Sequence, residues 1–335
     1  MRKLISLLIV LTLAFSMFAI GEEPVKLDVG VLASYYSAAI YYADKMGYDT
    51  EAGVDFIIQE FASGAPMNES FAVGELELAD MGPAAVHAVG KFNAFVIAQN
   101  AKQVAVNLMV RADSPLLTIQ DENGVYGSAE LLKGMTIYGP SGTYAHYLII
   151  GYLNYFGLTI DDVDYWGVQY PQAYDAFELG QGDICAMQNP NVYDAKQKGY
   201  VSLGDPAVVA PMYENLVCAA SACENKTEAV VKALKVIYRA QEDFINDEEL
   251  AAKWLKEYYS HMGYSASDEA IMDEIQNQKP LLTLADAAQV PVGESLIDTA
   301  IFMQNLDMIE QWQTDAVKAN IRNDLLYAAA GIDAE

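Results

Sequence analysis

Short apolar runs alternate along the chain with stretches of helical period, and the alternation sets the expected element order. Lys26 to Leu32 and Val54 to Glu60 are short and β-branched enough for strands, and between them Ala38 to Met46 has the spacing of a helix that ends at Gly47. Ser63-Gly64-Ala65-Pro66 is a loop that leads into a second helix up to Gly74. Leu78 to Met81 is then a third strand, with Gly82-Pro83 placing proline in the first turn of a third helix. Such a βαβαβα order predicts a parallel sheet with helices on both faces. The same grammar returns at Met135 to Tyr138, where a buried strand is broken by Gly139-Pro140-Ser141-Gly142-Thr143 before a helix from Tyr144 to Phe156. Ser141 or Thr143 is expected to cap that helix, and its unpaired N–H groups and positive dipole end would face the crevice beyond the strand ends.

The recurrence is visible in the residues themselves. Phe71-x-x-Gly74-x-x-Glu77-Leu78-x-x-Met81 is matched by Phe177-x-x-Gly180-x-x-Asp183-Ile184-x-x-Met187, each followed by a proline, Pro83 or Pro190. Met46-Gly47 before Val54-Asp55-Phe56 has its counterpart in Phe156-Gly157 before Val163-Asp164-Tyr165. Two similarly wound lobes is the economical reading. Val104 to Arg111 and Asn215 to Ala222 read as strands crossing between them, so one lobe is expected over residues 22–111 and 222–335 and the other over 112–221. The C-terminal part reads as helical, with Asn246 or Asp247 starting one helix and Glu294 to Trp312 forming another.

Charge and the chain start narrow the class. Arg2 and Lys3 precede an apolar run from Leu4 to Phe18, with Ala19-Ile20-Gly21 at the cleavage spacing, so residues 1–21 read as a secretory signal peptide. No cysteine near that point offers a lipid anchor, and a free periplasmic or secreted monomer is expected. The formal net charge is −27, and removal of Arg2 and Lys3 takes it to −29, which makes nucleic acid and anionic membranes poor partners. The three cysteines, Cys185, Cys218 and Cys223, read as buried thiols; Cys218 and Cys223 are expected on opposite faces of one strand.

Enzyme signatures of the glycine turn are incomplete. A phosphate loop needs a lysine, and none lies between Lys133 and Lys196; a hydrolase elbow needs a second glycine where Thr143 stands. No metal-ligand spacing or cofactor motif is present. The ordered set Leu132-Lys133-Gly134, Pro140-Ser141-Gly142-Thr143, Gly157-Leu158 with Asp161-Asp162-Val163, and Gly180-x-Gly182-Asp183 before Pro190 resembles the periplasmic substrate-binding proteins of ABC importers in the nitrate, sulfonate and taurine group. That resemblance implies a type II periplasmic-binding-protein fold, an α/β architecture of two lobes joined by two crossing strands. Each lobe would be a mostly parallel sheet flanked by helices, and the two would close on a small ligand that is passed to a membrane permease.

Carried over by position, the pocket would be lined by Tyr35, Tyr36, Ser37, Ser63, Gly64, Gly82, Pro83, Ser141, Gly142, Thr143, Tyr144, Gln169, Tyr170, Gln188 and Asn189. These turns follow strands, where open α/β sheets bind ligands. They hold no arginine or lysine, so a sulfonate-like ligand would be held by helix N-termini and hydroxyls alone, while their tyrosines suit a flat or cationic ligand, an aromatic or pyrimidine-like compound among them. Two other classes are weighed. A pyrimidine-precursor synthase of the same fold would have to enlist His87, His146 or Lys102, while a ligand-sensing receptor subunit would need a separate signalling partner.

Overall fold

A computed structural model describes residues 23–333 apart from residue 279; the expected signal peptide lies outside the described residues. Among the described residues, ten strands form two five-stranded sheets. The first holds β1 (Val25–Val31), β2 (Val54–Glu60), β3 (Leu78–Met81), β4 (Ala94–Lys102) and β10 (Tyr213–Ala219) in the order β2-β1-β3-β10-β4. The second holds β5 (Val106–Val110), β6 (Thr136–Gly139), β7 (Asp164–Gly167), β8 (Ile184–Gln188) and β9 (Val201–Ser202) in the order β7-β6-β8-β5-β9. In each sheet the first three strands of that order run parallel, and the fourth runs antiparallel to both of its neighbours.

The sequence repeat maps onto this equivalence. Gly74 and Gly180 both adopt left-handed backbone (φ +78° and +82°), turning the chain back toward β3 and β8. Glu77 and Asp183 then make the same two bonds in their own lobes. Glu77 N donates to Asp28 O (3.0 Å) and its Oε2 accepts from Asp28 N (3.3 Å), while Asp183 N donates to Thr136 O and its Oδ2 accepts from Thr136 N (both 2.8 Å). Each carboxylate thus satisfies an edge amide of the neighbouring parallel strand, which explains an acidic residue at both positions.

The crossings differ from the expectation. Val106–Val110 lies inside the second sheet and Tyr213–Ala219 inside the first, so neither is a crossing strand. The chain changes lobe between Lys102 and Val106 and again between Ser202 and Tyr213, and Gln103 N donates to Met212 O (2.9 Å) where the two crossings meet. The lobe limits therefore move from 111 and 222 to these two links. Both apolar strands pair on each side with a strand of their own sheet, which hides backbone groups that a free crossing segment would leave to solvent.

The C-terminal helices complete the first lobe. Thr227–Asn246 buries Val230, Leu234, Ile237, Tyr238 and Phe244, and the Tyr238 hydroxyl donates to Gln99 O of β4 (2.7 Å). Asp247 caps the next helix, Glu248–His261, by accepting from Leu250 N (3.0 Å), as the sequence predicts. The single helix expected from Glu294 to Trp312 is instead two, Glu294–Asn305 and Gln311–Ala319. Cys218 ends up in β10 and Cys223 in the helix that follows it, with both thiols buried. One continuous core serves the first lobe, whereas the second has separate apolar clusters.

Candidate functional site

The carboxyl ends of the parallel strands of both sheets meet at a cleft of about 250 Å³. On the first lobe the cleft wall begins with Ser34, whose hydroxyl accepts from Ser37 N (3.1 Å) and starts the helix Tyr35–Lys45. Tyr36, one residue into that helix, lines the cleft, and its hydroxyl accepts from Gln103 Nε2 (3.2 Å). Gln103 also donates to Glu214 Oε1, tying a crossing link to β10. The turns Ser63-Gly64 and Gly82-Pro83 supply the rest of the wall, with Asn68, His87, Tyr259 and Tyr264. Gly82 lies so close to Glu214 that a Cβ there would stand 3.0 Å from Oε1, so a side chain at this turn would displace the carboxylate.

The second lobe contributes Ser141, Gly142, Thr143, Tyr144, Gln169, Tyr170, Gln188 and Asn189. Gly142 has φ +70°, which allows the sharp entry into the helix Tyr144–Tyr155. Thr143 occupies the cap position, but its hydroxyl donates to Pro140 O (2.9 Å), while Ser141 Oγ bonds Tyr165 OH (3.1 Å); neither caps the helix as expected. Tyr170 places its hydroxyl beside the Thr143 side chain and the Ala145 amide at this helix start. Tyr144 donates to Ala210 O (2.9 Å), so the ring lines the cleft with its polar end already satisfied. Gln188 ends β8, and the Asn189 side chain hydrogen-bonds Glu274 of the first lobe, bridging the cleft rim.

Acidity is concentrated on one wall. Glu214 is 1% exposed, and burial, with the Asp80 charge beside it, pushes its carboxyl well above the usual range. Its Oε2 is buried without a hydrogen-bond partner among the described residues. Asp80 on β3 accepts from Ser37 Oγ (2.8 Å) and Asn100 Nδ2 (3.2 Å), yet burial dominates and pushes it up to about 7. Glu274, behind Tyr259, accepts that hydroxyl on both oxygens (3.1 and 2.9 Å) and is likewise pushed up to about 7 by burial. Among the described residues no lysine or arginine lines the cleft. His87 does, and burial lowers its pKa.

The structure brings together thirteen of the residues named from sequence, Tyr36, Ser63, Gly64, Gly82, Pro83, Ser141, Gly142, Thr143, Tyr144, Gln169, Tyr170, Gln188 and Asn189. Two are placed elsewhere. Tyr35 stacks on Phe244 (5.9 Å between centroids) against a separate cavity, and Ser37 is fully buried with its hydroxyl on Asp80. The helix begins at Tyr35 rather than Ala38, so residues 35 to 37 point in three directions about 100° apart and only one meets the cleft. Sequence reasoning missed Glu214, Gln103, Asn68, Tyr259 and Tyr264. Gln103 precedes an apolar run and Glu214 interrupts one, a weak signal that a polar side chain has a buried partner.

The residues an enzyme reading would enlist are scattered. His87 is in the cleft; His146 accepts from Gly142 N (3.3 Å) with its ring stacked on Tyr165 (4.9 Å); Lys102 is exposed; His261 pairs with Glu60 at the surface. Trp166, half exposed on the edge strand β7, is likewise away from the cleft.

Similar proteins share the architecture over most of the chain. A Brachyspira hyodysenteriae protein named as an ABC transporter periplasmic binding protein is 27% identical over 98% of this chain and 99% of its own. The alkanesulfonate-binding protein SsuA from Xanthomonas axonopodis pv. citri, solved with MOPS bound, gives a TM-score of 0.73 at 17% identity, covering 90% of this chain and 99% of that one. The periplasmic nitrate-binding protein NrtA from Synechocystis PCC 6803 gives 0.71 at 13% identity over 92% and 89%. These likenesses establish the two-lobed periplasmic-binding-protein fold expected from the sequence. With residues 21–256 matching the family's model, the chain belongs to the NMT1-like family.

Proposed function

We propose that this protein is the extracytoplasmic solute-binding component of an ABC importer, capturing one small organic ligand between its lobes and presenting it to a membrane permease. The observation that carries this reading is the cleft of about 250 Å³ lined by strand-end turns from two equivalent lobes that only two links join. Such a hinge lets the lobes rock about Gln103 and Met212 without opening either core. The name of the Brachyspira relative supports the assignment, and the basic and apolar start of the chain supports export. Binding without turnover is the reading favoured by the scattered His87, His146 and Lys102. The turn Ser141 to Tyr144 would supply backbone amide donors to a polar ligand atom, with Tyr36 and Tyr170 packed beside it.

Small-angle scattering on the mature protein, with and without a ligand found by thermal-shift screening, tests this. Bound ligand at about a hundred times its dissociation constant adds roughly 2.7 kcal/mol of stability, enough to detect. Compaction on binding is expected. A saturated protein with an unchanged profile, or chemical conversion of the ligand, would overturn the reading.

A further inference from the structure

We propose that the cleft is selective for a ligand bearing a cationic, N–H-donating nitrogen head, an ammonium or amidinium, that ion-pairs with Glu214. The inference rests on the solute-binding reading and specifies its ligand. Glu214 lines the cleft from β10; Gln103 donates to Oε1 and the Tyr36 hydroxyl also hydrogen-bonds the carboxylate, while Oε2 is buried with no donor within hydrogen-bond distance among the described residues. A buried carboxylate oxygen left without a donor is destabilising, and a ligand donor at Oε2 removes that cost. An anion beside it would add to it.

The surroundings give no internal counter-charge. The groups facing Glu214 are Asp80 from β3, Tyr36 from the helix Tyr35–Lys45 and Gln103 from the crossing link, and its field also reaches Tyr144 and Tyr170 of the second lobe. All are acidic or neutral. No lysine or arginine among the described residues lines the cleft, and the chain carries a net charge of −27, which raises the local concentration of cations. Aromatic rings at Tyr36, Tyr144 and Tyr170 give a cation further favourable faces. A ligand cation favours the ionised carboxylate, so any proton held by Glu214 in the free cleft leaves to solvent on binding and affinity strengthens as pH rises.

The test is a matched panel measured by calorimetry on the mature protein. Phenyl, cyclohexyl and pentyl scaffolds each carry an ammonium or amidinium, a neutral amide, or a carboxylate or sulfonate. Within a scaffold that binds, the cation is expected to bind at least about tenfold more tightly than its amide and anion, a gap of about 1.4 kcal/mol. Its affinity is expected to increase from about pH 6 to about pH 8. Glu214→Gln, which keeps the shape and an oxygen for Gln103, is expected to abolish the preference without lowering the thermal midpoint of the free protein. An anion that binds as well as its matched cation, affinity for the cation that weakens as pH rises, or a preference that survives Glu214→Gln overturns the inference. So does a panel in which no cation binds. The wild-type panel decides the matter even where the variant misfolds. An anion that binds and compacts the protein in scattering would sink this inference while leaving two-lobed capture standing.

Discussion

The two lobes have the same strand order, the same antiparallel fourth strand and the same carboxylate-to-amide bond at Glu77 and Asp183, yet they bring opposite chemistry to the cleft. The first lobe buries Asp80, Glu214 and Glu274 behind or within its wall; the second offers the hydroxyls, amides and rings of Ser141 to Tyr144, Gln169, Tyr170, Gln188 and Asn189. A repeated scaffold thus fixes where the walls stand and leaves their electrostatics free to diverge. The first lobe, enlarged by the C-terminal helices, has one large continuous core that can hold ionisable groups in place. The second spreads fewer buried apolar residues over two faces of its sheet.

Equivalent core positions test this contrast most severely. Phe71→Ala and Phe177→Ala are each expected to cost about 3–5 kcal/mol in denaturant unfolding. Phe177 is expected to cost more, because its cluster is smaller and the Arg111 guanidinium stacked 4.0 Å from its ring centroid loses that face. A larger loss at Phe71 would break the view that the second lobe is the more fragile.

Next in size is pH. Asp80 and Glu274 are pushed up to about 7 in the folded protein, so between their ordinary values and that point the native state binds more protons than the unfolded chain. Stability is then greatest below their ordinary values and is lost as pH rises through about 7. The thermal midpoint is expected to rise by several degrees on acidification from about pH 7.5 to about pH 5, before the carboxyls held low by hydrogen bonds, such as Asp121 and Asp324, begin to lose their stabilisation. Hydrogen exchange at both pH values should place the gain in the first lobe. A flat profile, or a gain confined to the second, would contradict the contrast.

Glu274→Gln sharpens it further. The neutral amide can still accept from Tyr259 and carries no buried charge, so stability at about pH 8 is expected to increase by about 1 kcal/mol in thermal unfolding, with part of the pH dependence removed. A loss of stability would mean that the link from Glu274 to Asn189 of the second lobe outweighs the cost of the buried charge. The smallest effect is expected at Lys196, whose ammonium stands 3.8 Å from Asp273 across the same rim with both side chains partly in solvent. Lys196→Ala should change stability by less than about 0.5 kcal/mol in the same assay. A larger change would shift the closing contact from the buried carboxylate to this ion pair.

Local chemistry made the strand-end turns legible, because the glycines and prolines of Ser63-Gly64, Gly82-Pro83 and Ser141-Gly142-Thr143 have a backbone reason that needs no partner from elsewhere. The repeat was legible for the same reason, since Gly74 and Gly180 answer to their own φ angles. The tyrosines were half legible. Pattern places Tyr35, Tyr36 and Ser37 near a strand end, but which of them meets the cleft depends on a helix start shifted by three residues, and the element boundary is what propensity fixes least well.

Alternation and punctuation in the chain alone thus determined two α/β lobes, their repeat and the turns that ring a cleft, because those are properties of neighbours in sequence. Only the tertiary structure decided that the cleft has an acidic wall. In sequence Glu214 is one polar residue in the strand Tyr213–Ala219, more than a hundred positions from Asp80, Tyr36 and Gln103. The insertion of β10 between β3 and β4 sets its carboxylate beside those three residues, removes it from water and leaves one oxygen without a hydrogen-bond partner among the described residues. A charge acquires its cost and its selectivity from what surrounds it in space, and no local pattern records that.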